Sequence, residues 1–313
     1  ASKCGISSLI CLPDTAPISK VEATKGYGAQ VCLVPGVYDD AYNKALELKE
    51  EHGYTFVHPF DDEYVIAGQG TIGLEIMNEM SDVDAVLVPI GGGGLISGVA
   101  CAIKSISPHV KVYGVQAAGA PSMYNAIHHG KMEALTSVST IADGIAVKKP
   151  GELTYEMVKN YVDDIALVTE DEIAAAILAL IEKQKMIAEG AGAVSVAAAM
   201  FHKFPLEGKK VVSLISGGNI DVTSLSRVID RGLMKSGRTT SLLIELVDKP
   251  GQLMEVSRII AQCGGNVISV HHERNGETES INGCYLRLSL ETRNYDHVQQ
   301  ITQALRDAGF KIV

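Results

Sequence analysis

Two glycine-rich segments have the residue types and positions that could bind a ligand. The first, Gly91-Gly92-Gly93-Gly94, lies between the apolar run AVLVPI and the helical pattern that begins at Leu95. Glycines allow backbone turns in which successive N–H groups point into one concavity, and a following helix adds its positive N-terminal end. We predict a phosphate cup at Gly91 to Gly94, the alternative being a flexible linker. The glycine spacing matches neither the dinucleotide-binding motif GxGxxG nor the Walker A motif GxxxxGK[ST].

The second segment is Ser216-Gly217-Gly218-Asn219, which follows the apolar run at 211–215. In α/β sheets, ligands bind at the carboxyl ends of strands. Ser216 could therefore offer its hydroxyl to a ligand atom. An ordinary turn, in which Ser216 caps the next helix, is the alternative.

Strand and helix patterns alternate up to about residue 235. Apolar runs predict strands at 7–12, 30–34, 55–58, 85–90, 111–117, 165–168 and 210–215. Helical patterns cover 40–52, 69–80, 95–106 and 169–188, the last with Thr169 and Glu172 at capping-box spacing. Continuously apolar strands are typical of sheets covered on both faces. The pattern predicts a doubly wound, mostly parallel α/β fold.

A second pattern follows a predicted linker at 231–238. Strands are predicted at 240–247, 266–272, 285–291 and 310–313, helices at 251–263 and 295–308, and a polar loop at 275–283. The order βαββαβ is that of a ferredoxin-like sandwich.

Composition limits the class of protein. The 313 residues are 46% hydrophobic, enough for two domains, and the net charge of −10 would repel a nucleic-acid backbone. We see no membrane-spanning run and no secretory signal. The six cysteines form no CxxC pair. This pattern favours thiols in a reducing cytoplasm over a disulfide framework or a zinc site.

Residues 1–235 resemble the pyridoxal-phosphate enzymes of fold type II, specifically the threonine dehydratase (threonine ammonia-lyase) and serine racemase group. The matching stretches are 12–31, 56–76, 88–100 (VPIGGGGLISGVA), 140–151 (TIADGIAVKKPG), 168–173, 188–198 (AEGAGAVSVAA) and 216–221 (SGGNID). Residues 240–313 resemble an ACT domain, whose usual opening is similar to VDKPGQL at 247–253. The pairing resembles the medium-length threonine dehydratases. It implies a small-domain remnant at 1–59, a cofactor-binding domain at 60–235 and a regulatory domain at 240–313.

The resemblance assigns roles to residues. It implies that Gly91 to Gly94 hold the phosphate of pyridoxal 5'-phosphate and that Ser216 bonds the pyridine nitrogen, with Gly217 and Asn219 in the same loop. A neutral hydroxyl at that nitrogen draws less charge into the ring than a carboxylate would, which suits loss of a β-hydroxyl over transamination. Glu189 would lie near the ring. A helix-end carboxylate is the alternative for Glu189.

The family's Schiff-base lysine stands in a Ser-x-Lys-x-Arg-Gly motif, and no lysine of this chain does. In the family this motif and the loop that binds the substrate carboxylate precede the region matched here. The opening residues 1–3 read like a helix tail ended by Gly5, so we expect a missing upstream segment. We expect the chain alone to be inactive, without a covalent cofactor anchor or a base for the α-proton. A non-catalytic effector-binding and oligomerisation protein is the alternative.

Serine racemases carry a divalent-metal site made partly by Glu and Asp. The matching positions are Gln116 and Ser122, so a hard divalent cation would lack its charged ligands, and we predict no such site. A monovalent cation held by neutral oxygens stays open. This difference favours a threonine dehydratase over a serine racemase or serine dehydratase.

ACT domains bind small ligands, typically amino acids, where two copies meet. The resemblance implies that Gly251 and Leu253 of one copy and Asn266, Val267 and Ile268 of another frame an effector, isoleucine or valine in a threonine dehydratase. A nucleotide effector and a plain dimerisation module are the alternatives. The expected partners are amino acids and further copies of the chain, as a dimer or tetramer.

Overall fold

Strands β1 (Leu9–Pro13) and β2 (Gln30–Val34) pair in parallel near the start of the chain. The computed structural model describes residues 1–16, 18–36, 38–274 and 283–313. Its contacts divide the chain into two units, Ala1–Pro59 and Phe60–Val313. In the first unit, helices α1 (Ile18–Gly26) and α2 (Tyr38–His52) accompany the two strands.

The strand predicted at 55–58 is wrong. The backbone there pairs with no described strand. Phe56 and His58 instead direct their rings at Tyr42 of α2, with centroid distances of 5.6 and 5.9 Å. The alternation that indicated a strand reflects packing of two rings on a helix.

A four-stranded parallel sheet forms the first part of the second unit. Its strands are β3 (Ala85–Pro89), β4 (Lys111–Ala117), β5 (Asp164–Val168) and β6 (Val211–Ser213), in the order β5-β4-β3-β6. Its helices are α3 (Glu63–Glu79), α4 (Gly94–Ile106), α5 (Ser122–His129), α6 (Glu152–Tyr161), α7 (Glu170–Ala179), α8 (Gly190–Met200) and α9 (Val222–Lys235). The predicted parallel α/β fold is confirmed.

Strand β3 is apolar throughout because both of its faces are covered. Ala85 and Leu87 pack in one apolar cluster with residues of α7 and α8, whereas Val86 and Val88 pack in another with residues of α4. All four side chains are fully buried. The sheet is therefore a central layer between two layers of helices.

Several predicted boundaries are wrong, among them the start of the helix predicted at 69–80, since α3 begins at Glu63. The helix predicted at 169–188 has the expected capping box, but α7 ends at Ala179 and a π-helical turn, Leu180–Gln184, follows. The predicted linker at 231–238 is helical up to Lys235, because Gly232 packs closely against Leu178 and holds α9 on α7. These ends depend on tertiary contacts that local periodicity does not contain.

The chain ends in a C-terminal module, residues 239–313, with the predicted βαββαβ order. Its elements are β7 (Thr239–Val247), α10 (Gln252–Cys263), β8 (Asn266–Glu273), β9 (Gly283–Glu291), α11 (Tyr295–Asp307) and β10 (Lys311–Ile312). The antiparallel sheet has the order β10-β7-β9-β8 and its own apolar core. Most of the predicted polar loop, 275–282, lies outside the described residues. Within the described ranges, no helix is long and apolar enough to cross a membrane.

An ion cluster joins β4, α4 and the start of β5. The Asp163 carboxylate accepts hydrogen bonds from Lys104 Nζ at 2.6 Å, Lys111 Nζ at 2.8 Å and the Val112 amide at 2.8 Å. Burial raises the pKa of Asp163, but the hydrogen bonds from both lysines outweigh burial and hold that pKa below its ordinary value.

We expect Asp163→Asn to lower the free energy of unfolding by roughly 1–3 kcal/mol at pH 7. The pKa of Asp163 is lower in the folded protein than in the unfolded chain, where it is about 4. The ionised carboxylate therefore stabilises the folded state above that pH, and this stabilisation is lost as the pH falls through the folded-state pKa. Urea unfolding at pH 7 and pH 3 should show the difference between the two proteins shrinking in acid. Asp82→Asn, which breaks an exposed pair with Lys210, should change little because solvent screens it. An unchanged difference at pH 3 would contradict this account.

Candidate cofactor site

The two glycine segments leave the same edge of the sheet. Strands β3 and β6 are parallel neighbours with Leu87 opposite Ser213, so their carboxyl ends lie side by side. The helices that follow them pack on opposite faces: α4 through Ile96 and Val99, and α9 through Val228. A crevice opens where neighbouring strands send their chains to opposite faces, and α/β proteins bind ligands there.

Gly91 to Gly94 form a tight turn into α4. Gly93 has φ 101° and precedes the first residue of the helix. A Cβ at Gly92 would overlap the ring of Phe60, and one at Gly94 would lie 2.8 Å from the Phe60 carbonyl oxygen. In the described part of the chain, the amides of these four glycines donate to no protein acceptor. The turn therefore presents N–H groups at a helix N-terminus, the geometry of an anion site.

Thr154 and Asp61 hold this turn from behind. The buried Thr154 hydroxyl donates to the Gly92 carbonyl oxygen at 2.6 Å. The Asp61 carboxylate accepts from the Glu152 and Thr154 amides, each at 3.0 Å, which caps the start of α6. Directing the Gly92 carbonyl at Thr154 fixes the orientation of the peptide groups in the turn.

Residues 143–145 connect the first glycine turn to the second. A Cβ at Gly91 would lie 3.0 Å from Ile145 Cα, and one at Gly144 would lie 3.1 Å from Glu189 Oε1. Glu189 Oε2 accepts the amide of Asn219 at 3.1 Å, and the Glu189 amide donates to the Gly217 carbonyl at 3.1 Å. The two turns therefore belong to one continuous rim.

Glu189 stands immediately before α8, and its place near a cofactor ring stays a prediction. Its side chain makes no capping bond to that helix. The half-buried carboxylate instead contacts the loop of Ser216, Gly217 and Asn219, and Ser216 itself is exposed at the sheet edge. Glu189 therefore orders the second loop from below.

Gln116 and Ser122 are fully or almost fully buried. Gln116 Oε1 accepts the Tyr124 amide at 2.8 Å, while Gln116 Nε2 and Ser122 Oγ have no partner among the described residues. Neither side chain carries a negative charge, as expected from the sequence. A monovalent cation near them stays a prediction.

The predicted effector residues lie in two places in the C-terminal module. Gly251 has φ 91° and caps α10, and Leu253 beside it is exposed. Both line a cavity of about 500 Å³. Asn266, Val267 and Ile268 begin β8 and do not line that cavity. The prediction placed them on a second copy, so a single chain does not test it.

Sequence reasoning missed Phe60, Asp61 and Thr154 as supports of the first turn, and Gly144 and Ile145 as the connection between turns. Gly144 lies in the matched stretch 140–151, which was a usable signal. No sequence signal pointed to Thr154, since a single threonine in a helical pattern does not indicate which turn it contacts.

Comparison with known proteins shows the family of this chain. The family of pyridoxal-phosphate dependent enzymes matches residues 1–217. The L-threonine ammonia-lyase of Thermotoga maritima is 50% identical over 308 residues, 98% of this chain and 77% of that enzyme. This chain belongs to the pyridoxal-phosphate-dependent enzyme family. The L-threonine ammonia-lyase of Geobacter sulfurreducens is 44% identical over the same shares of the two chains.

Solved structures agree with this assignment. The enzyme is similar to the processed threonine deaminase isoform 2 of Solanum lycopersicum, with a TM-score of 0.70, 39% identity and coverage of 74% of this chain and 68% of that one. Maize serine racemase gives a TM-score of 0.69 and 34% identity, with coverage of 75% and 73%.

The enzyme's cofactor is pyridoxal phosphate, and the described residues fit its phosphate. A Cβ at any of the four glycines of the cup would lie against Ile145, Phe60 or Thr154. The free amides of the cup stand at the positive end of α4.

Proposed function

We propose that this enzyme deaminates L-threonine to 2-oxobutanoate and ammonia, and L-serine to pyruvate more slowly. One observation carries the proposal: 50% identity over 98% of the chain to a protein named L-threonine ammonia-lyase. The neutral Gln116 and Ser122 favour this reaction over that of the racemases.

The residues of the rim divide the work of binding. The amides of Gly91 to Gly94 hold the phosphate, and the Ser216 hydroxyl meets the pyridine nitrogen. When bound, pyridoxal phosphate supplies an electron sink for charge that develops at the Cα of the amino acid. Glu189 keeps the Ser216 loop in place through the Asn219 amide.

We also propose that no lysine within residues 1–313 anchors the cofactor covalently, because none stands in the family's lysine motif. Borohydride reduction of the cofactor-loaded chain should leave no pyridoxyl group on any lysine in peptide mass spectra. One specifically labelled lysine would refute this point.

The reaction can be tested without a lysine in that motif. A small primary amine in solution can stand in for an absent lysine side chain as base, so we expect 2-oxobutanoate from L-threonine when cofactor and ethylamine are supplied together. The rate of 2-oxobutanoate formation from L-threonine should exceed the rate of pyruvate formation from L-serine. Faster interconversion of L- and D-serine would contradict the proposal and favour a racemase.

Ser216 provides a further prediction. Ser216→Ala should lose one hydrogen bond of about 1 kcal/mol and weaken cofactor binding several-fold. Ser216→Asp should protonate the ring nitrogen and shift the cofactor's absorption spectrum. Ser105→Ala is the matched control, since Ser105 bonds within α4 to Cys101. Equal cofactor affinity in Ser216→Ala and Ser105→Ala would contradict this role.

The C-terminal module supports a proposed regulatory role as an ACT domain. The T. maritima match includes this module, since it spans 98% of the chain, whereas a Staphylococcus aureus L-threonine dehydratase matches over only 232 residues. We expect isoleucine or valine to bind between modules of two copies. Calorimetry with each amino acid tests binding, and sedimentation gives the oligomeric state. A dimer that gives no heat of binding with either amino acid would indicate a module for dimerisation only.

A further inference from the structure

Three side chains with different ligand atoms meet at one end of the C-terminal module. Asp248, His272 and Cys284 each direct one ligand atom into a group whose members all lie within 4.8 Å of one another. His272 Nε2 and Cys284 Sγ are 3.0 Å apart. No other such group of three occurs among the described residues.

Strand register explains why these residues meet. Leu246 of β7 lies opposite Cys284, and His272 of β8 lies opposite Leu286. Side chains two residues apart on a strand share a face, so Cys284 and Leu286 place His272 on the helix-covered face. Asp248 follows Leu246 by two residues, where the chain turns toward α10.

The cluster opens onto the cavity of about 500 Å³ at the start of α10. Cys284 is 1% exposed but belongs to the cavity wall, and His272 and Asp248 are both exposed. An ion could therefore reach the three ligand atoms from solvent. A fourth coordination position on such an ion would face the cavity that these three residues line.

From this geometry we infer that Asp248, His272 and Cys284 bind a Zn²⁺ ion, with a fourth position open to water. Carboxylate oxygen, imidazole nitrogen and thiolate sulfur are the ligands that Zn²⁺ takes, at about 2.0–2.3 Å. In a tetrahedron those bonds place ligand atoms about 3.3–3.8 Å apart. The three atoms need only small side-chain movements to reach that spacing.

The charges around the site can adjust to a cation. Because the metal ligand is the thiolate and not the thiol, zinc binding should release the proton of the Cys284 thiol. Asp248 is paired with Arg274 at 3.0 Å, but the Arg274 side chain is 68% exposed, and such a pair contributes little. The carboxylate can exchange Arg274 for the metal.

The test uses the full chain, reduced and freed of metal, titrated with Zn²⁺ by calorimetry. We expect one ion per chain, with proton release that depends on the buffer. His272→Asn and Cys284→Ser should each weaken binding at least about tenfold, because each removes a ligand. Co²⁺ in place of Zn²⁺ should give a thiolate-to-metal absorption band that is lost in Cys284→Ser.

His271→Asn is the matched control, since His271 is the next residue along β8 and points to the opposite face. Cys284→Ser removes a buried thiol and could disturb folding, so His272→Asn, an exposed change, serves as the second variant, with circular dichroism to check both. Absence of binding, affinity unaffected in both His272→Asn and Cys284→Ser, or an equal loss in His271→Asn would overturn the inference.

Discussion

Replacement of Gly92 by alanine should lower the affinity for pyridoxal phosphate at least about tenfold, equivalent to about 1.4 kcal/mol. The added Cβ would lie 2.5 Å from Phe60 Cδ1 and closer still to Phe60 Cγ and Cδ2. The Phe60 Cα, Cβ and carbonyl oxygen also lie within 3.0 Å of the Cβ position at Gly94, so Phe60 lies close against two glycines of this turn. The turn must give way, and its amides would lose their common direction. Titration of the chain with cofactor, followed by absorbance, measures the effect.

Two further variants separate this cause from general damage. In Gly92→Ala combined with Phe60→Ala, the obstructing ring is gone, so part of the lost affinity should return. Gly68→Ala places a methyl where nothing described lies within 4 Å and should bind cofactor normally. Unchanged affinity in Gly92→Ala would show that the turn is not the phosphate site.

Replacement of Gly98 by alanine should destabilise the protein by about 3 kcal/mol. Helices α3 and α4 approach so closely that a Cβ at Gly98 would overlap the Ile66 carbonyl oxygen and lie 2.6 Å from the Gly70 amide nitrogen. Both obstacles are backbone atoms, so side-chain rotation gives no relief. The helices must separate, and contacts of buried Ile66 with α4 would loosen.

Gly68→Ala is again the matched control, since Gly68 is also inside a helix but has open space around it. Alanine is the better helix former, so we expect Gly68→Ala to stabilise by about 0.5–1 kcal/mol. Urea unfolding of both variants provides the comparison. Similar small changes in the two would mean that the close approach of α3 and α4 is not required.

Local patterns were sufficient for much of the fold. The strands at 30–34 and 111–117 were predicted to the residue, and the capping box of Thr169 and Glu172 is present. A strand buried on both faces gives a continuous apolar run, and a helix buried on one face gives an apolar repeat of about 3.6 residues. Both patterns are recognisable from neighbouring residues alone. The strand at 55–58 failed because its period came from ring packing on Tyr42.

By itself, the sequence determined the two glycine turns, the α/β body, the βαββαβ module and the family to which they belong. Only the tertiary structure decided that residues 143–145 and Glu189 join the turns into one rim. It also brought Asp248, His272 and Cys284 together, although the sequence had predicted no zinc site. The physical reason is the same in both cases. Local interactions set periods and caps, whereas contacts between residues far apart in the chain depend on strand register and helix packing, which no single segment encodes.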